Sequence, residues 1–375
     1  ESLTYSAVPA VDAQGRPTGT EPITNMQSLT RSLMNAAGQV IAVDRYTNLD
    51  GLAYSTATAT LGLQGENYLR TLYAYNNQGQ VDRIQNPAGT ITISIYDGLA
   101  RLTATYVGTD DSTTNGFKWT PSNASPTSNM AQVAANEYDN GGVGNGNLTK
   151  STLFPGGGAA PRITQNAYDW RNRLVATKSG GTGSLATESL SVNRPLTFTD
   201  YDNLGRVTGR SVYDGDGIWV IDANTDGVPD KPAAALLRSS QVSLYDAQDR
   251  VFRTQELFVN QTTGVVGTPR LTTNLFYDRR GNVAAVFAPT APVSQSRYDG
   301  AGRLTTSLTL GNVPAATWAN ATSLAASLVL EQTDYVYDAA SNVILTTNRQ
   351  RFHDAATSAL GVLGTPTTGI PARVS

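Results

Sequence analysis

A seven-residue pattern, seen in Tyr96-Asp97-Gly98-Leu99-Ala100-Arg101-Leu102, recurs along this chain and limits what it can fold into. Copies with one internal spacing start at Met34, Tyr75, Tyr96, Tyr168, Tyr201, Tyr245, Tyr277, Tyr298 and Tyr337, and a copy with a longer Gly-rich gap starts at Tyr138. Six positions after the start of each of these nine copies of one internal spacing stands Val or Leu, from Val40 to Val343. The residue after each start is Asp or Asn, and three residues later Gly recurs at Gly38, Gly79, Gly205, Gly281 and Gly302. An Asx side chain accepting backbone N–H groups, with a flexible residue in the fourth position, is what a type I turn requires. Each copy is therefore expected to be a β-hairpin. The Tyr ends one strand, and the residue five positions on (Arg101, Arg173, Arg206, Arg250 or Arg303, elsewhere Asn or Gln) begins the next and is expected to face the Tyr across the ladder.

Flanking segments alternate as strands do: Ile91, Ile93 and Ile95 with Thr92 and Ser94, and Val343 and Leu345 with Ile344 and Thr346. Starts lie 21 residues apart at their closest, from Tyr75 to Tyr96 and from Tyr277 to Tyr298, and insertions rich in Gly, Ser and Thr separate the others. A fixed unit with variable insertions is the mark of a repeat architecture, because a lone hairpin cannot bury its own face. The expected fold is all-β: a spiral sheet or solenoid of stacked hairpins with loop insertions, forming one unit over residues 1–375, with repeats from about 34 to 348. A short helical turn is expected near residues 321–330.

Composition excludes several classes. Only 15% of residues are charged, the net charge is −3 and no run of Lys or Arg occurs, so nothing marks a nucleic-acid or anionic-membrane partner. No apolar stretch approaches the roughly 18 residues of a membrane-spanning helix. The absence of Cys removes disulfides, thiolate nucleophiles and zinc-thiolate sites. The initial Glu leads one to expect a processed product or a segment of something longer.

Tyr201-Asp202-Asn203-Leu204-Gly205-Arg206-Val207 and Tyr298-Asp299-Gly300-Ala301-Gly302-Arg303-Leu304 closely resemble the repeat of the RHS or YD-repeat family, and the resemblance runs from about residue 34 to 348. It implies a long sheet of hairpins wound into a spiral, in secreted or cell-surface polypeptides. Some bacterial members close that spiral around a toxin, and animal relatives use it in adhesion ectodomains. Shell-forming members carry a self-cleaving segment with Asp-Pro-x-Gly elements, whereas no Asp-Pro dipeptide occurs here. The first expectation is therefore a non-enzymatic fibre or scaffold segment whose partners are copies of itself or adjoining repeats, meeting at open sheet edges. A shell wall enclosing cargo, or an adhesin binding cell-surface glycans through its insertions, are the alternatives.

The repeat aspartates invite an acid–base reading, but the turn accounts for each of them. His353 is the single histidine, expected in a surface loop, and no GxSxG, HExxH or GxxxxGK(S/T) motif occurs. In the insertion Tyr213–Asp230, Asp222, Asn224, Asp226 and Asp230 occupy positions 1, 3, 5 and 9 of a calcium-type loop, with the Val228 carbonyl at 7 and Asp214 and Asp216 as further oxygens. Ala233 stands where a bidentate Glu would close an EF-hand loop, so two readings remain: a calcium loop of the extracellular type, or a solvated acidic turn. Trp119, Trp170, Trp219 and Trp318 could form a sugar-binding face, but are more simply core or edge cover. Asn147 and Asn320 stand in glycosylation sequons.

Overall fold

The computed structural model describes residues 1–6, 10–16, 18–19, 23, 25–55, 61–142, 144–182, 188–311, 313, 315–352, 360–364 and 372–374. Among them the chain forms 22 strands and one short α-helix, α1 (Trp318–Thr322). This is the expected all-β class. The helix overlaps only the start of the span 321–330, at Ala321 and Thr322, and Thr317, whose side chain accepts from the Asn320 N–H, caps its first turn.

The chain groups into two compact units, residues 1–165 with 180–187 and residues 166–179 with 188–375. In the first, β1 (Ser2–Ser6), β2 (Asn25–Met34), β3 (Val40–Tyr46), β4 (Tyr68–Tyr75), β5 (Val81–Gln85), β6 (Ile91–Tyr96), β7 (Leu102–Gly108), β8 (Ala131–Tyr138) and β9 (Leu148–Leu153) each run antiparallel to the strand before. The start of β10 (Arg162–Tyr168) pairs with β9. The strand-like opening is thus β1, although Val8 lies outside the described residues.

In the second unit, β11 (Leu174–Gly181) pairs with β12 (Pro195–Tyr201), and the same antiparallel succession follows. It runs through β13 (Val207–Asp214), β14 (Leu237–Tyr245), β15 (Val251–Val259), β16 (Val266–Tyr277), β17 (Val283–Phe287), β18 (Val293–Tyr298), β19 (Leu304–Leu310), β20 (Val329–Tyr337), β21 (Val343–Arg351) and β22 (Ala372–Val374). Ser375, at the end of the second strand-like terminus, lies outside the described residues.

The turn chemistry sets the register. At Tyr96 the Ala100 N–H donates to the Asp97 carbonyl at 3.0 Å and the Asp97 N–H to the Arg101 carbonyl at 3.0 Å. Ala100 takes φ +66°, as Asn172, Asp249 and Ser341 do near +60° to +68° and Gly205 at +82°. A type I turn followed by one left-handed residue makes a bulged hairpin, which shifts the pairing by one residue. The Tyr therefore faces the Val or Leu six positions on, as in Tyr96↔Leu102, Tyr201↔Val207 and Tyr298↔Leu304. The expected pairing of Tyr with the Arg of its own hairpin is corrected: the bulge leaves that Arg out of the ladder.

Pairing between successive hairpins obeys a second rule. The residue three before each start faces the residue eight after the previous start: Leu72↔Ala42, Ile93↔Arg83, Ala135↔Ala104, Phe198↔Ala176, Val242↔Gly209, Asn274↔Arg253, Gln295↔Ala285 and Asp334↔Thr306.

The insertions supply core as well as loops. In the first unit Ile91 and Ile93 pack with Trp119, and Leu29, Tyr46 and Tyr68 form a second cluster. In the second unit Val175, Leu196, Phe198, Tyr213, Leu237 and Val259 form one cluster, and Leu308, Leu310, Leu324, Val329 and Leu363 another. Burial of a large apolar side chain contributes about 1.5–3 kcal/mol, so an insertion that lays Trp119 or Leu324 on the sheet stabilises it measurably.

Candidate functional site

The repeat motif makes the same polar arrangement in copy after copy. Each turn Asp is a three-way acceptor: Asp202 Oδ1 takes the Leu204 N–H at 2.9 Å and the Arg206 N–H at 3.0 Å, while Oδ2 takes Arg206 Nε at 2.7 Å. Asp97, Asp169, Asp246 and Asp299 bond their arginines alike. At Asp278 and Asp338 an Asn amide replaces the guanidinium at 2.9 Å. The backbone N–H of Arg101, with its guanidinium, holds the Asp97 carboxyl below its ordinary value, and Arg303 does the same for Asp299. Carboxylates so engaged are tuned to stay ionised, which suits a turn and not a general acid.

The Arg then reaches forward. The guanidinium of Arg101 lies 4.6 Å from the ring centre of Tyr138, Arg173 4.7 Å from Tyr201, Arg206 4.7 Å from Tyr245, Arg250 4.4 Å from Tyr277 and Arg303 4.7 Å from Tyr337. In each case the ring is the start of the next hairpin. The Tyr hydroxyl of these copies, and of those at Tyr75, Tyr96 and Tyr298, donates back to the main-chain carbonyl of the Val or Leu six positions after the earlier start: Tyr75 to Val40, Tyr96 to Val81, Tyr138 to Leu102, Tyr201 to Leu174, Tyr245 to Val207, Tyr277 to Val251, Tyr298 to Val283 and Tyr337 to Leu304, at 2.7–3.2 Å. Tyr, Asp, Arg and Val together are a clasp between consecutive hairpins. The Asx turn was visible in the sequence; the forward reach of Arg and Tyr was not.

The Asp-rich insertion folds onto itself. Asp222 Oδ2 accepts the Gly227 N–H at 2.8 Å, Asn224 Oδ1 the Asp226 N–H at 2.9 Å, Asp226 Oδ1 the Val228 N–H at 2.8 Å, and Asp230 Oδ2 the Ala223 N–H at 2.8 Å. Asp214 Oδ2 pairs with Arg238 at 3.3 Å. Asp216 accepts the N–H groups of Val192, Asn193 and Arg194 and pairs with the Arg194 guanidinium at 2.7 Å. Burial pushes the Asp216 carboxyl up, yet those donors hold it down at about 2. Among the described residues no three His, Cys, Asp or Glu side chains stand together as a metal-binding group. In this arrangement the side-chain oxygens accept backbone N–H groups in consecutive Asx turns. The loop is also anchored, since the Trp170 N–H donates to the Gly227 carbonyl at 2.7 Å.

Beside it lies a buried charge cluster that sequence reasoning missed. Lys178, 1% exposed, donates to Glu188 at 2.6 Å and to the Ile218 carbonyl at 2.9 Å. Glu188 also accepts the Gly217 N–H at 2.7 Å and stands 3.6 Å from Arg194, which bonds Asp216. The two cations and two anions compensate one another in buried surroundings. In the first unit a crevice of about 110 Å³ is lined by Asp82, Arg83, Asp111, Lys118 and Trp119, and there too the cations pair with the carboxylates, Arg83 with Asp111 and Lys118 with Asp82.

The tryptophans have separate surroundings: Trp119 is buried with its Nε1 donating to Ser128, Trp170 and Trp219 are exposed in loops, and Trp318 opens α1. The Asn320 amide donates to the Ala315 carbonyl, and Asn147 leads into β9. His353 lies outside the described residues. Among the described residues no helix is long and apolar enough to cross a membrane.

No family model and no curated protein matches the chain. Among solved structures it is similar to the crystal structure of TcdB2-TccC3-TEV (TM-score 0.30, 11% identity, 87% of this chain and 17% of that chain). It is also similar to TcdB2-TccC3 without its hypervariable C-terminal region (TM-score 0.31, 11%, 88% and 17%) and to the Photorhabdus luminescens Tc holotoxin pore (TM-score 0.30, 11%, 88% and 17%). The chain thus spans less than a fifth of the length of these structures.

Proposed function

We propose that this chain is a non-enzymatic structural segment of a secreted or cell-surface repeat protein, working as a fibre or scaffold unit that joins neighbouring segments through its sheet edges. The observation that carries the reading is the clasp: Tyr, Asp and Arg, the groups most able to do chemistry, are each consumed in fixing one hairpin to the next. The buried charges of Lys178, Glu188, Arg194 and Asp216 are likewise compensated internally. Extracellular placement belongs to the same proposal, and it rests on the family resemblance of the repeats.

Electron microscopy of the natively purified protein, with and without a calcium chelator, tests it. Elongated assemblies with a repeating subunit are expected, unchanged by chelation because the Asp222–Asp230 carboxylates serve their own turns. Discrete hollow particles would replace the proposal with a cargo-enclosing wall, and a stable monomer would overturn it, since β1 and β22 already pair within the chain. Fraying on chelation would restore the calcium reading of that loop.

A further inference from the structure

We infer that β21 is a docking edge for one more strand of defined chemistry, a strand that ends in Tyr-Asx and belongs to an adjoining repeat segment. The inference rests on the scaffold reading and names the partner it requires. Eight times within the chain, the second strand of a hairpin receives a strand whose Tyr hydroxyl donates to the carbonyl six positions after the start. In the final copy that carbonyl is Val343, and among the described residues no tyrosine hydroxyl reaches it.

The edge has the other marks of a vacant repeat position. On the side away from β20, β21 pairs only through Arg349, Gln350 and Arg351, with β22, so residues 343–348 have no strand partner there among the described residues. Val343, Ile344 and Leu345 are 51%, 63% and 56% exposed, whereas in the equivalent segments of internal hairpins only Ile41 and Leu174, at 39% and 40%, are exposed. A run of unpaired backbone N–H and C=O groups flanked by exposed β-branched and Leu side chains is a template for strand addition. The internal register rule places the incoming residue three before the Tyr opposite Leu345.

The occupant is not a second copy's first strands. β2 of a copy ends in Met34, whose thioether has no proton to donate, and it is already paired with β1. β1 carries Tyr5-Ser6 where the clasp needs Tyr-Asx.

Because the chain has no Cys, register can be read by disulfide trapping in the full protein. The variant Leu345→Cys is oxidised with a synthetic peptide copying residues 332–339 (Gln-Thr-Asp-Tyr-Val-Tyr-Asp-Ala), in which the residue matching Asp334 is Cys. Cross-linking is expected at least about tenfold faster than with Cys moved one residue along the peptide, since neighbouring residues of a strand face opposite ways. Replacing the peptide's last Tyr by Phe should slow trapping about threefold to tenfold, the weight of one hydrogen bond of roughly 1 kcal/mol. Equal rates in both registers, or no cross-link to a variant that retains its circular dichroism, overturn the inference. Indifference to the Tyr→Phe change overturns the clasp at this edge. Filaments of the chain alone that form equally well with the Leu345→Cys thiol capped by a bulky maleimide would uphold the scaffold reading while sinking this one. In-register trapping on a strictly monomeric chain would do the reverse.

Discussion

At the residue scale a repeat Tyr that follows an Arg-bearing copy has two jobs, and they can be separated. Tyr245 donates its hydroxyl to the Val207 carbonyl at 2.8 Å while its ring receives Arg206. Tyr245→Phe removes only the donor and should cost about 0.5–1.5 kcal/mol in urea denaturation. Tyr245→Ala also removes the ring and the burial it brings, and should cost roughly 2–4 kcal/mol. A Tyr245→Phe protein as stable as the parent would show that the hydroxyl bond merely replaces one to water. The neutral copies give the same design in another form. Asn35 and Asn76 accept backbone N–H groups through Oδ1, as the aspartates do, and donate from Nδ2 to Gln39 and Gln80 at 2.8 Å. The turn therefore needs the Asx oxygen more than its charge.

At the scale of elements, the hairpins differ in how much their turns tolerate. Gly205 has φ +82° with open space where a Cβ would stand, so Gly205→Ala should cost only the left-handed penalty of about 1 kcal/mol. Gly264, at the β15–β16 connection, has φ +70°, and its Cβ would lie 1.5 Å from the Ala234 carbonyl oxygen. Gly264→Ala must push that backbone aside and should lose well over the Gly205→Ala cost in the same denaturation assay; equal losses would mean the connection yields freely. The Lys178 cluster is a second device at this scale, tying the insertion before β12 to β11. Lys178→Ala leaves Glu188 without its closest cation and should cost about 3–5 kcal/mol, whereas Lys178→Ala with Glu188→Ala should recover part of it. The hairpins were legible in the sequence because Asx turns impose a fixed spacing on every copy. The cluster was not, because Glu188 stands in a stretch of Gly, Ser and Thr that reads as surface loop. The forward reach of Arg206 was hidden for a related reason: its Tyr lies beyond an insertion of variable length, and the bulge that frees the Arg moves the register by a single residue. In the Asp222–Asp230 loop, alternate Asx residues serve Asx turns and calcium loops equally well, so spacing alone left both readings standing.

At the scale of the whole molecule, the repeated carboxylates give folding one shared pH dependence. Hydrogen bonds from the backbone and from an arginine hold Asp97, Asp202, Asp246 and Asp299 below the ordinary carboxylate value of 3.8, the Asn342 amide and backbone N–H do so for Asp338, and Asp216 is held at about 2. A group whose pKa is lower in the folded state contributes its full stabilisation above its unfolded value and loses it as pH falls through the folded one. The thermal midpoint should therefore be level from neutral pH to about 4.5 and fall steadily between about 4 and 2. The loss should begin in the charged turns. Arg206 N–H is bonded to Asp202 Oδ1 at 3.0 Å, and Gln80 N–H to the uncharged Asn76 Oδ1 at 2.9 Å. Protonating Asp202 weakens its oxygen as an acceptor and breaks its pairing with Arg206, while Asn76 does not titrate. Hydrogen exchange of the two amides, each scaled to its intrinsic rate, should diverge below about pH 4, with Arg206 opening first. Parallel behaviour of the two amides down to pH 3 would mean that the turns are held by their backbone bonds alone and that the acid response originates elsewhere, with the buried Asp216 the first group to test.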